Sequence, residues 1–164
     1  MDAVYLMAEY DQPYIAGPMR GLSRFNFDAF YTLETQLTSI GVRCFNPARH
    51  DEEVYPGMRS WPGFERGSIE ECPEFSLEKS LQWDLAMIAG PDTATCLIVL
   101  PYWEGSSGVK IEMQVAEWCG KPVFYAHKTP YGIYSIHNEP VPAMASGLAA
   151  PVGQMSFEDY INSL

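Results

Sequence analysis

The sequence predicts an α/β protein in which helices alternate with the strands of a parallel sheet. Short apolar segments, such as residues 95–100, alternate with longer segments whose apolar residues recur every three to four positions. Loops that contain glycine follow two of the apolar segments, at residues 17–24 and 101–108. Strands that alternate with helices favour right-handed crossovers, and ligands of such sheets bind beyond the carboxyl ends of the strands.

The composition predicts one folded domain that spans residues 1–164. The chain has 164 residues, of which 47% are hydrophobic, and this is enough for a core of its own. The formal net charge of −11 argues against binding to polymeric nucleic acid, which depends on Lys and Arg. The N-terminal residues do not resemble a signal peptide, and no segment approaches the ~20 apolar residues of a membrane span. We therefore expect a cytoplasmic protein with no membrane partner.

The cysteines and histidines do not predict a metal site. The four cysteines contain no CxxC pair, and the three histidines are scattered along the chain. Cysteines inside apolar segments usually act as small buried side chains, and a chain without a disulfide pattern is typical of a reducing compartment. We expect neither a metal nor another cofactor.

The first part of the chain predicts two strands separated by a helix. Residues 12–17 form the first strand. A helix is predicted at residues 26–40, and Gly41 is typical of a helix end. The apolar residues of this helix share one face: Phe27, Phe30, Leu33, Leu37 and Ile40. Residues 42–46 form the second strand, which Pro47 ends.

Residues 48–75 are rich in proline, glycine and aromatic residues and show little periodicity. An irregular segment of this length is usually functional or disordered. Its Trp, Tyr and Phe residues favour an ordered loop packed on the rest of the domain. Two interpretations stay open: a lid-like insertion over a site, or a structural insertion.

A second helix is predicted at residues 76–89. Its apolar face contains Leu77, Leu81, Leu85 and Ile88, and Asp84 lies in the middle of that face. Residues 95–100 form the third strand, whose continuous apolar run is typical of a strand covered on both faces. The next helix begins near Ser107, and residues 121–126 form the fourth strand.

The C-terminal part of the chain has weaker patterns. After His127 no clear period is visible up to residue 150. A fifth strand is predicted at 152–155. Ser156 and Asp159 resemble a capping box, which predicts a short helix at 157–163.

Two carboxylates occupy apolar helix faces, which is costly unless they have a partner or a role. Glu112 shares a face with Val115, Ala116 and Cys119. It is either an acid favoured by the dipole of the helix N-terminus or a nucleophile. Asp84 is either a core aspartate bonded to a backbone amide or a partner of Glu112. A pair of such carboxylates is typical of glycosidic chemistry.

The residues of the two glycine-containing loops have structural and functional interpretations. Ser106 and Ser107 cap the helix, or one of them contacts a hydroxyl or phosphate group at the helix N-terminus. Arg20 is either a solvated surface residue or a donor to a phosphate.

Several of these motifs together resemble those of a known family. They are Tyr14-Ile-Ala-Gly-Pro-Met19, Asn26-Phe27, Phe45-Asn46-Pro47, Asp84 with Asp92, and Leu100-Pro-Tyr-Trp-Glu-Gly-Ser-Ser-Gly-Val-Lys-Ile-Glu112. The chain resembles the nucleoside 2-deoxyribosyltransferase-like superfamily over about residues 13–126. It is most similar to a small branch that is common in phages and bacteria.

This resemblance implies a flavodoxin- or Rossmann-like three-layer sandwich with strand order 2-1-3-4-5. It also implies cleavage of the N-glycosidic bond of a (deoxy)nucleoside or its 5′-monophosphate. Glu112 would be the nucleophile, Asp84 the acid that serves the leaving base, and Tyr14 the residue that positions the nucleophile. The substrate-binding residues would be Gly17, Met19, Arg20, Gly21, Trp103, Ser106, Ser107 and Gly108.

Position 106 separates two activities within the resemblance. Transferases of free nucleosides carry Asp six residues before the nucleophile, whereas the related nucleotide hydrolases carry Ser. Ser106 therefore favours a 5′-monophosphate N-glycosidase, with a base-exchanging deoxyribosyltransferase as the close alternative. A nucleotide sensor that does not cleave its ligand and a structural or interaction protein are alternatives of another class. The resemblance also implies a homodimer or a larger homo-oligomer.

Overall fold

The computed structural model describes residues 9–140, which form one sheet with helices on both faces. Its strands are β1 (Pro13–Ala16), β2 (Cys96–Val99), β3 (Val123–Lys128) and β4 (Tyr134–His137). Its α-helices are α1 (Phe27–Ser39), α2 (Pro47–Val54), α3 (Leu77–Ala89) and α4 (Ser107–Trp118). The predicted α/β class, with helices between parallel strands, is confirmed. No helix within this part of the chain has both the length and the apolar composition needed to cross a membrane.

The sheet has the order β1-β2-β3-β4, in which β1, β2 and β3 are parallel and β4 is antiparallel to β3. The predicted order 2-1-3-4-5 is not confirmed. The segment predicted as the second strand makes a single parallel bridge, between Tyr14 and Phe45. Two backbone hydrogen bonds of 2.9 Å support the bridge, from Ile15 N to Phe45 O and from Phe45 N to Pro13 O. The pairing stops there because Pro47 already begins α2.

Strand β4 lies in the region where we predicted no regular structure. Its side chains alternate, with Tyr134 and Ile136 buried and Ser135 and His137 half-buried. The alternation has the period of a strand with one covered face, but four residues are too few for it to stand out. The predicted strand at 152–155 and the predicted helix at 157–163 lie outside the described residues.

Two apolar cores cover the two faces of the sheet, because successive strand residues point to opposite faces. The first core joins Ile15 and Ile98 to α1. The second joins Tyr14, Ala16, Leu97 and Val99 to Ile88 of α3 and to Val109 and Ala116 of α4. Tyr14 therefore faces α3 and α4, and this places its hydroxyl group on the side of the two candidate carboxylates.

Helix α2 corrects the prediction of an irregular segment at 48–75. The side chain of Asn46 accepts hydrogen bonds from the backbone N–H groups of Ala48 and Arg49, and Pro47 occupies the first turn. An Asn cap followed by Pro is a strong helix start. Further along the segment, Met58 and Phe64 are buried in the first core, which favours the structural-insertion interpretation for that part.

The buried face of α3 is rotated from the predicted one. Its buried residues are Ser80 and Ile88, whereas Leu77 is 46% exposed. Trp83 and Met87 pack against the second core instead, because the helix turns this side towards β1. In α4 the predicted face is confirmed for Glu112 and Ala116, which are buried, whereas Val115 is half-buried and Cys119 at the end of the helix is exposed.

Candidate functional site

The site is built around a buried hydrogen bond between β1 and α4. The hydroxyl group of Tyr14 donates to Oε1 of Glu112 at 2.8 Å. Tyr14 is fully buried and Glu112 is 8% exposed. The bond orients a carboxylate that faces the sheet, as the position of Glu112 in the helix pattern predicts.

Asp84 of α3 belongs to the same cluster, and its charge adds to the rise in the pKa of the Tyr14 hydroxyl group. Burial raises the pKa of Glu112 to about 8, with a further contribution from the charge of Asp84, while the Tyr14 bond lowers it. Burial also raises the pKa of Asp84 to about 7. Both pKa values are therefore raised, and the pair retains a proton at a higher pH than two ordinary carboxyl groups would.

A third carboxylate, Asp51 of α2, lies next to this pair. It is 5% exposed, and its Oδ1 accepts a hydrogen bond of 2.9 Å from Oγ of Ser80 on α3. Burial raises the pKa of Asp51 to about 6, and the Ser80 bond lowers it. Neither Asp51 nor Ser80 is predicted as a site residue from the sequence. The signal that could have found Asp51 is the Asn46-Pro47 helix start, which places Ala48 and Asp51 on one face at a spacing of three.

An aromatic pair adjoins Asp51. The ring of His50 stacks on Trp83 at 4.0 Å between centroids and 9° between planes. Burial lowers the pKa of His50, so the ring is neutral at neutral pH. Its Nδ1 is buried without a hydrogen-bond partner among residues 9–140. The stacked rings of His50 and Trp83 thus form a flat, partly buried surface beside the carboxylate cluster, on the side of α2.

The loop after β2 leads directly into α4 and places Ser106 at the N-terminus of that helix. The Oγ atom of Ser106 accepts a hydrogen bond of 3.3 Å from Val109 N, so this residue is the N-cap. Ser107 and Gly108 form the first turn, where N–H groups have no partner within the helix. Six residues of helix separate Ser106 from Glu112, a rise of about 9 Å. Trp103 stands nearby, 5.8 Å from the ring of Tyr125.

The loop after β1 has mainly structural contacts. A Cβ atom on Gly17 would lie 2.8 Å from Leu100 Cδ1, so close packing requires glycine there. Gly21 has a φ of 77°, and its N–H donates to Gly67 O. Met19 packs against the first core. Arg20 is exposed and pairs with Glu70 at 3.5 Å, a surface contact of about 0–1 kcal/mol that a ligand can replace.

The structure thus brings together Tyr14, Asp84 and Glu112, and it adds Asp51 and Ser80 to them. Ser106, Ser107 and Gly108 are linked to this cluster through α4. No group of three His, Cys, Asp or Glu side chains in residues 9–140 could hold a metal ion. A pair of carboxyl groups of which one is ionised and the other protonated can supply both a nucleophile and an acid.

A comparison with protein families matches residues 11–125, more than half of the chain, to the family described as Domain of unknown function (DUF4406). This match contains β1, β2, all four α-helices and each of the residues of the carboxylate cluster. A comparison with curated proteins finds no match.

Proposed function

The chain belongs to the family described as Domain of unknown function (DUF4406), and we propose that it cleaves the N-glycosidic bond of a nucleoside 5′-monophosphate. The observation that carries the proposal is the buried hydrogen bond of 2.8 Å from Tyr14 to Glu112, with the Asp84 carboxyl group close enough to act on the same hydroxyl group. The resemblance of the sequence motifs to nucleoside 2-deoxyribosyltransferase-like proteins supports the same reaction.

Glu112 is the nucleophile of the proposed reaction. One of its carboxylate oxygens attacks C1′ of the sugar while the bond from C1′ to the base nitrogen breaks, and a glycosyl ester forms. The Tyr14 bond lowers the pKa of Glu112 and so favours the ionised form that attack needs. Positive charge that develops on the sugar favours that form further.

Asp84 is the acid. It gives its proton to the base nitrogen that leaves, and it then takes a proton from the water that hydrolyses the ester. Its raised pKa of about 7 lets it hold a proton near neutral pH, where an ordinary aspartate is ionised. Since the pair must carry one proton and one charge and both pKa values are raised, we expect the fastest turnover near neutral pH, above the optimum of an ordinary carboxyl pair.

The N-terminus of α4 supports the choice of a 5′-monophosphate. Ser106 is a neutral cap, and N–H groups of a first helical turn favour an anion. An aspartate at this position would repel a phosphate. Arg20 adds a donor that its single exposed ion pair leaves available to a phosphate.

The test is release of free base from a panel of nucleosides and their 5′-monophosphates. We expect base and sugar phosphate from at least one monophosphate, and loss of this activity by a factor of at least about 10³ in Glu112→Gln. The matched control is Glu117→Gln, which removes the same charge from an exposed position of the same helix. Equal loss in both variants, or none in Glu112→Gln, would contradict the proposal.

Two further outcomes separate the alternatives. Base exchange with an added free base, faster than hydrolysis, would identify a deoxyribosyltransferase, because the same ester on Glu112 would then be resolved by a base. Binding of a nucleotide without base release would identify a sensor. Isothermal titration calorimetry with the same panel distinguishes the sensor from a protein that binds no nucleotide.

A further inference from the structure

Three helices each place one carboxyl group in the same polar cluster, and those of Asp51 and Glu112 are buried while that of Asp84 is half-buried. Asp51 comes from α2, Asp84 from α3 and Glu112 from α4. The hydroxyl group of Ser80 bonds to Asp51 at 2.9 Å, and Ser80 lies on the same face of α3 as Asp84, four residues before it. At the other end, the hydroxyl group of Tyr14 donates to Glu112 at 2.8 Å, and the charge of Asp84 acts on the same hydroxyl group.

The negative charge of Asp51 has little compensation from basic groups. Its closest basic contact in the described part of the chain is Nδ1 of His50, at 3.8 Å. Burial lowers the pKa of His50, so this ring carries no charge at neutral pH. The groups that face Asp51 from the neighbouring elements are Ser80 and Asp84 of α3, with Tyr14 and Glu112 beyond them.

The pKa values of all three carboxyl groups are raised above their ordinary values. The pKa of Asp51 is about 6, that of Asp84 about 7 and that of Glu112 about 8, and burial is the main cause in each case. The charge of Asp51 adds to the rise for Asp84, and the charge of Asp84 adds to the rise for Glu112. Each group that ionises thus opposes the ionisation of the next.

We propose that Asp51 is a positioning residue whose negative charge keeps the proton on Asp84, the acid that serves the leaving base. This role rests on the proposed function. Asp51 touches Ser80 rather than the reacting atoms, and it acts on the reaction through Asp84. The placement of α2 beside α3 is therefore part of the active site, although α2 contributes neither of the two reacting carboxyl groups.

A purely structural role for Asp51, as the hydrogen-bond partner that joins α2 to α3, predicts different behaviour. Asp51→Asn keeps an oxygen that accepts the Ser80 bond but removes the charge. A structural role therefore leaves the titration of Asp84 unchanged in this variant. The matched control is Glu53→Gln, which removes the same charge from an exposed position two residues away on α2.

The first measurement is the pH titration of the carboxyl carbon of Asp84 by NMR, assigned with Asp84→Asn, in the whole protein. We expect Asp51→Asn to lower the titration midpoint of Asp84 by about 0.5–1 pH unit, and Glu53→Gln to leave it unchanged. Because the coupling between two charges is reciprocal, we expect Asp84→Asn to lower the titration midpoint of Asp51 as well. An unchanged Asp84 midpoint in a folded Asp51→Asn protein overturns the proposal whether or not the protein is active.

The second measurement is the pH dependence of base release. The alkaline limb of kcat/KM reports loss of the acid's proton, so we expect it to move to lower pH in Asp51→Asn by the same amount as the NMR midpoint. If the NMR midpoint of Asp84 moves in Asp51→Asn while the alkaline limb of kcat/KM does not, Asp51 has no role in the reaction.

If the wild-type protein releases no base from any nucleotide, the proposed function fails, and the NMR titration still decides whether Asp51 acts on Asp84. Should Asp51→Asn not fold, the titration of Asp51 in Asp84→Asn decides, since an Asp51 midpoint that does not move overturns the coupling.

Discussion

At the scale of single residues, the hydroxyl group of Tyr14 links the two candidate catalytic carboxyl groups. It lowers the pKa of both Glu112 and Asp84 against the effect of burial. Its own pKa is raised well above the ordinary value, first by burial and then by the charge of Glu112, so it remains a hydrogen-bond donor throughout the pH range of interest.

We expect Tyr14→Phe to lower kcat by about 10- to 100-fold at pH 7, because a hydrogen bond to a charged group contributes about 1.5–3 kcal/mol. We also expect the acid limb of the pH profile, which reports ionisation of Glu112, to move to higher pH. Steady-state kinetics from pH 5 to 9 measures both effects. Tyr131→Phe is the control, since Tyr131 is 91% exposed, and an unshifted acid limb in Tyr14→Phe would contradict the role.

The raised pKa of Glu112 also predicts how the stability of the protein depends on pH. Its folded pKa of about 8 lies above the ordinary value of 4.5, so its contribution to stability is present below about pH 4.5 and is lost as the pH rises to about 8. Glu112→Gln removes the ionisable group and with it this loss of stability. The amide oxygen of the new side chain still accepts the hydrogen bond from Tyr14. We therefore expect the variant to have a higher Tm than wild type at pH 8, by about 2–4 °C per kcal/mol regained, and a similar Tm at pH 4.5. Thermal unfolding at both values checks this, and a Tm difference that is the same at pH 4.5 and pH 8 speaks against the burial of a charge.

At the scale of elements, the N-terminus of α4 joins helix capping to substrate choice. Asp caps a helix as well as Ser does, so Ser106→Asp should leave α4 and Glu112 in place. It adds a negative charge where the proposal puts the 5′-phosphate, and like charges in contact cost several kcal/mol.

We expect Ser106→Asp to lower the ratio of kcat/KM for a 5′-monophosphate to kcat/KM for its nucleoside by at least about tenfold, which corresponds to 1.4 kcal/mol. Ser106→Thr is the control, because it keeps a cap without a charge. Both ratios come from the same base-release assay. A ratio that is unchanged in Ser106→Asp would place the phosphate away from α4.

The elements also explain which parts of the site the sequence could predict. Glu112 and Asp84 were found because a carboxylate on an apolar helix face stands out in a long periodic segment. Asp51 was missed because α2 has only eight residues, of which three are acidic and two basic, so its buried face has no apolar pattern. The contact between Asp51 and Ser80 joins residues 29 positions apart, and such a contact depends on how two helices pack rather than on any local pattern.

At the scale of the whole molecule, the proposed ligand and the protein carry charge of the same sign. The chain has a formal net charge of −11, and a nucleoside 5′-monophosphate is an anion. The site must therefore attract the ligand by local contacts, such as the first turn of α4 and Arg20, against the field of the molecule. The described salt bridges of the basic residues, including Arg49 with Glu34 and Arg24 with Asp28, lie on the surface and reduce the positive charge that could steer the ligand.

The repulsion between the negatively charged protein and its anionic ligand predicts how activity depends on the salt concentration. Dissolved ions screen charges that lie more than about 10 Å apart at 0.1 M, while buried contacts are screened much less. We therefore expect kcat/KM for a 5′-monophosphate to rise about two- to threefold between 0.01 and 0.15 M NaCl, because the long-range repulsion is weakened first. The corresponding uncharged nucleoside is the control, and its kcat/KM should not change. A kcat/KM for the monophosphate that falls with salt would show that a local positive field at the site outweighs the charge of the whole chain, and Arg20→Gln should then abolish that fall.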